Sequence, residues 1–178
     1  MLDLKVILRF EFVGIIFIII LGSMLHFTFE FSGENILVGI FSAVNESVWE
    51  HLKLAFWPAL LYTLLEYRFF GKVITNFFFS KAVGIYLMPL AIVFLFYSYR
   101  IFLEENLVLD ILIFIIAVVF GQLVSYKLMS SKEVPKIYAH MSLILLICLA
   151  LVFVIFTFYP PHLSMFQDPI SGGYGINA

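Results

Sequence analysis

Apolar and polar positions along the chain divide it into five long apolar stretches, at about residues 6–27, 48–70, 77–99, 107–129 and 137–159, separated by short polar segments. Each reaches the roughly 20 residues that a helix needs to cross a hydrocarbon core about 30 Å thick, where the backbone has to satisfy its polar groups within the segment. The pattern therefore predicts an all-α fold: a polytopic membrane helical bundle of about five transmembrane helices. Between the first two stretches, the apolar run 36–44 is too short to cross and predicts a short interfacial or re-entrant segment. Lys5 and Arg9 precede the first stretch as they would in a signal peptide, but the stretch is long and no small-x-small cleavage site clearly follows it. Without internal repeats or linkers, residues 1–178 are expected to form a single integral-membrane domain, with 160–178 as a tail.

Composition agrees. With 63% hydrophobic and 12% charged positions among 178 residues, and a mean hydropathy of +1.11, the chain carries more apolar surface than one soluble domain buries. Soluble domains average about 45–50% apolar and about 25% charged. The lipid bilayer is thus an expected partner and nucleic acid is not, because ten Lys and Arg scattered between apolar runs make no basic face. The single cysteine, Cys148, lies within an apolar stretch, which excludes an intrachain disulfide and a cysteine-based metal site.

The placement of charge predicts an orientation. With a cytoplasmic N-terminus, the inner side collects Lys5, Arg9, Arg68, Lys72, Lys81, Lys127, Lys132 and Lys136, leaving Lys53 and Arg100 outside. Most carboxylates fall the other way, with Asp3, Glu11, Glu66 and Glu133 inside. The expectation is a multi-pass protein of the cell (cytoplasmic) membrane, N-terminus cytoplasmic and C-terminus extracytoplasmic.

That topology gathers His26, His51 and His162 at the outer face, beside the densest polar run, Asn45 to Lys53, while His140 sits at the inner end of the fifth stretch. Ser47 and Glu50 have the spacing of a helix capping box, and Glu50 and Lys53 that of an i, i+3 pair. Neither reading accounts for Glu46 and His51 in the same turn. Pro58 removes a backbone donor and frees the carbonyl of Leu54, so a kink there would open a pocket under the polar run. Asp110, early in the fourth stretch, calls for a partner such as Lys53 or Arg100, whereas Glu66 and Arg68 read as an interfacial pair. After Pro160 and Pro161 the tail remains rich in apolar residues, which predicts a lid that folds back and brings His162 and Asp168 towards the polar run.

The run Val44-Asn45-Glu46-Ser47-Val48-Trp49-Glu50-His51-Leu52-Lys53-Leu54, with His26 and the segments Phe166-Gln167-Asp168-Pro169 and Gly172-Gly173-Tyr174-Gly175, resembles an uncharacterised family of small bacterial integral-membrane proteins, a domain of unknown function. The resemblance covers essentially the whole chain. It implies a polytopic membrane protein and carries over no activity.

No HExxH, GxSxG or GxxxxGK[ST] pattern occurs. His26 and His51 are placed as haem ligands would be, on neighbouring helices at similar depth. A zinc-type site takes three or four N/O donors, and the outer face supplies six candidates: His26, Glu46, Glu50, His51, His162 and Asp168. A divalent metal such as zinc is the cofactor these donors suit, with Glu50 and His51 as the candidate catalytic pair. Three readings stay open: a metal-assisted membrane hydrolase, a small-solute transporter built as a homo-oligomer, and a non-catalytic membrane component whose polar run is structural or meets a protein partner.

Overall fold

The computed structural model describes residues 4–131 and 133–177. Asp3 and Lys132, two members of the charge count, lie outside the described residues, as do the ends of the expected domain, Met1 and Ala178. The chain forms six α-helices, with no strand among the described residues: α1 (Leu4–Phe31), α2 (Ile36–Gly39), α3 (Val48–Phe70), α4 (Phe77–Arg100), α5 (Leu107–Met129) and α6 (Lys136–Phe158). The short apolar run becomes α2, a single turn capped by the side chain of Asn35.

Among the described residues, three helices, α4, α5 and α6, are long and apolar enough to cross a membrane, fewer than the five expected. The other two long helices supply most of the ionisable groups in the interior: Glu11 from α1, and Glu50, Lys53 and Glu66 from α3, none more than 1% exposed. A helix that brings its own buried charges is polar on its inner face, and α3 with four charged residues in its 23 is the extreme case.

Local signals set the helix ends. Ser47 opens α3 by accepting from the Glu50 N–H, and Asn106 opens α5 by accepting from Val108 and Leu109. Two prolines follow the end of α6. α4 packs against α3, α5 and α6, and α1 packs against α3 and α5. Where α4 and α5 cross, Gly84 and Gly121 face one another so closely that a Cβ on either would sit 2.6–2.7 Å from the other's carbonyl oxygen. Small residues at a helix crossing allow this approach.

The surface is inverted relative to that of a soluble protein. Phe12, Ile16, Ile20 and Met24 form an exposed stripe on α1, and Ile144, Ile147, Leu151 and Ile155 are exposed on α6. Two charge assignments from the sequence change. Asp110 accepts from the Tyr99 hydroxyl at 2.6 Å instead of meeting Lys53 or Arg100. Glu66 turns inward to Lys81 and leaves Arg68, because α3 presents those two residues on different faces.

Candidate metal centre

At one end of the bundle, three elements converge. His26 comes from the last turns of α1, Glu46 from the loop between α2 and α3, and His51 from the first turns of α3. Their approach depends on the crossing of α1 and α3 at Gly22, whose Cα backs onto the Leu54 carbonyl. His26 lies one turn beyond Gly22 and His51 about one turn before Leu54, so both rings emerge on the same side of the contact.

The two imidazole Nε2 atoms are 3.3 Å apart, and Glu46 Oε2 lies 3.4 Å from that of His51 and 3.7 Å from that of His26. Tetrahedral donors around zinc, with bonds of about 2.0–2.2 Å, lie about 3.3–3.6 Å apart, so the triangle fits the ion. His51 Nδ1 is 2.8 Å from the Ser47 carbonyl and donates to it, which aims Nε2 at the other two donors, where loss of its proton would free a lone pair for a cation. Glu46 is held below the usual carboxylate range, first by its hydrogen bond to His51 and then by the charge of both imidazoles, against the opposing effect of burial. Side-chain exposures of 28% for His26, 32% for His51 and 43% for Glu46 leave the trio reachable by a cation.

The three donors line a cavity of about 640 Å³. Its wall is largely apolar, from Leu54 on α3, Ile92 and Phe96 on α4 and Ile113 and Phe114 on α5, with Arg100, Glu105 and Asp110 also lining it. This volume lies within the usual range of small-molecule sites, about 300–1,000 Å³.

The other three candidates take other places. Glu50 is buried against Lys53 at 2.5 Å and accepts from the Val44 N–H at 3.1 Å, so half of the expected capping box forms and the carboxylate closes the preceding loop. Lys53 also donates to the Gly39 carbonyl and the Thr157 hydroxyl, both at 2.9 Å, and thereby ties α2, α3 and α6 together. His162 stacks on Tyr174 with ring centres 4.5 Å apart. Asp168 stands behind the site: Oδ1 accepts from the Glu46 and Ile170 N–H groups and Oδ2 from that of Ser171. Together with the bond from Asn45 to the Gly175 carbonyl, this folds the tail back on the start of α3, where Phe166 packs on Trp49. Sequence reasoning missed the cavity wall, whose apolar residues carry no signal that separates them from lipid-facing ones.

No curated protein and no solved structure matches the chain. One family model, described as a family of unknown function (DUF6512), matches residues 3–176, nearly the whole sequence, and the chain belongs to that family.

Proposed function

We propose that this is an integral membrane protein whose His26, His51 and Glu46 bind one divalent cation of the zinc class and present it to a substrate in the adjoining cavity. The observation that carries the reading is the triangle of two Nε2 atoms and one carboxylate oxygen with tetrahedral edge lengths. Three protein donors with a remaining position towards a cavity is the arrangement of catalytic rather than structural zinc sites. Bound there, the ion would polarise a carbonyl or phosphoryl oxygen and ease deprotonation of a water, so the reaction class is metal-assisted hydrolysis. The apolar wall favours a compound with an apolar body and a hydrolysable polar group. Ser47 orients His51, Asp168 holds the Glu46 backbone, and Glu50 with Lys53 fixes the loop that carries Glu46.

The buried charges and the exposed apolar stripes support crossing by α1 and α3 as well, since ionisable groups within a membrane face the protein interior. Five crossings with the Lys- and Arg-rich end cytoplasmic then put the trio at the extracytoplasmic face of the cell membrane.

Elemental analysis of detergent-purified protein tests the site. Stoichiometric zinc or a similar divalent metal is expected in the wild type, and weakened binding that a mild chelator strips in His26→Ala, His51→Ala and Glu46→Gln. A metal-free wild type that takes up none on addition would overturn the reading.

A further inference from the structure

At the opposite end of the bundle from the histidines, Glu11 of α1, Glu66 of α3 and Lys81 of α4 meet out of reach of solvent, at exposures of 0%, 1% and 1%. Lys81 Nζ is 2.6 Å from Glu11 Oε1 and pairs also with Glu66 Oε2. Ser125 of α5 donates to the same Glu11 oxygen at 3.1 Å, so four helices close on this point.

The charges do not balance. Two carboxylates face one ammonium, which leaves one negative charge in an apolar interior, where an uncompensated charge is strongly disfavoured. Among the described residues, the groups found against these three side chains bring no second positive charge. Tyr62 of α3 lies with its ring 5.9 Å from Lys81 Nζ, but its hydroxyl donates to the Phe10 carbonyl at 2.6 Å. From α5 comes Ser125, which is neutral, and the neutral Gln122 lies nearby against Gly14. On α6, which packs against α4, His140 is exposed and faces the Lys136 carbonyl. Arg9 on α1 is exposed as well. Glu11 Oε2 and both Glu66 oxygens are buried without a hydrogen-bond partner, Glu66 Oε2 meeting the Lys81 charge alone, and the Gln122 amide nitrogen is likewise unpartnered. A carboxylate oxygen without a donor is where a proton would sit.

We propose that Glu11 and Glu66 form a proton-binding site, holding one exchangeable proton between them while Lys81 balances the remaining carboxylate. Two like charges on one site cannot both stay ionised, and such a pair takes up a proton as a unit. The proton comes from water, forms an O–H bond on either glutamate, and returns to water on release. No other reactant takes part. In membrane bundles, buried carboxylates of this kind mark proton pathways. The site is independent of the metal centre and would persist in metal-free protein.

Infrared spectroscopy of the purified, metal-free protein, with and without carbon-13 glutamate, tests this. The wild type at neutral pH should show the carbonyl band of a protonated carboxyl group that shifts with the label and titrates away at high pH. Glu66→Gln should abolish this band, and so should Glu11→Gln, because either variant leaves one carboxylate to pair with Lys81. Glutamine has the shape of the protonated acid, so both variants should fold, and the wild-type titration stands without them. A wild type without the band would overturn the proposal, as would a band that survives in both variants. Stabilisation by sodium in place of a proton would also overturn it and make the site one for a metal cation.

Discussion

Gly22 of α1 lies so close to the Leu54 carbonyl of α3 that a Cβ on it would stand 2.5 Å from that oxygen and 2.8 Å from the Phe114 ring. The carbonyl is the one that Pro58 leaves without its helical donor. Backbone cannot yield as a flexible side chain can, so a larger residue at 22 has to push α1 away from α3. Gly22→Val should cost about 1–3 kcal/mol of stability, the usual range for overpacking. It should also weaken metal binding by about 10–100-fold, as loss of a positioning contact does, although residue 22 is no ligand. A chelator-competition titration measures this; unchanged affinity would show that the crossing does not set the spacing of His26 and His51.

The buried pair Glu50 and Lys53 calls for the opposite treatment of two residues. Lys53→Met strands the Glu50 carboxylate in the interior and should destabilise the protein by about 3–5 kcal/mol, as breaking one side of a buried ion pair does. Adding Glu50→Gln removes the stranded charge and should recover a large part of the loss, read as thermal unfolding in detergent. If the double variant is no better than the single one, the Coulombic account of this pair fails.

The tail should respond to acid through Asp168. Burial pushes that carboxyl up, but hydrogen bonds from Ser171, Ile170 and Glu46 outweigh it and hold the group below its ordinary range. A carboxylate depressed in the folded state stabilises the fold above its unfolded pKa, and that contribution is lost as pH falls through the folded value. Stability should therefore hold from neutral pH to about 5 and decline below about 4, near the reference value for Asp. Asp168→Asn should start lower at neutral pH and show a shallower acid decline; a parallel, unshifted profile would exclude Asp168 as the source.

Gly175 anchors the same tail at φ +66°, with its Cα so near the Thr157 carbonyl that a Cβ would lie 2.8 Å away. Only glycine accepts both that backbone conformation and that contact. Gly175→Ala should free the tail, seen as faster proteolysis after Pro161 in detergent, with the bundle intact. Wild-type resistance in this variant would mean that the tail is held elsewhere.

Helix positions were legible because caps and prolines act locally: Ser47 begins and the pair Pro160-Pro161 ends an element without help from distant residues. The site was legible only as a set of candidates. His26 and His51 are far apart in sequence, and what joins them is the Gly22 crossing, which has no local signature. Glu50 and His51 are adjacent, so a helix turns them about 100° apart; with His51 directed at the cavity, Glu50 falls towards Lys53 and the α2 loop. Glu46 precedes the helix and escapes that constraint. Glu66 reads as interfacial in sequence because its partner, Lys81, arrives from another helix and no spacing rule links them.

The most direct measurement of the central claim is X-ray absorption at the zinc edge on metal-loaded protein. The trio predicts a first shell of nitrogen and oxygen at about 2.0–2.2 Å with outer scattering from two imidazoles, and from one in His51→Ala. Sulfur in the shell, a shell of water alone, or two imidazoles retained in His51→Ala would contradict a centre built from His26, Glu46 and His51.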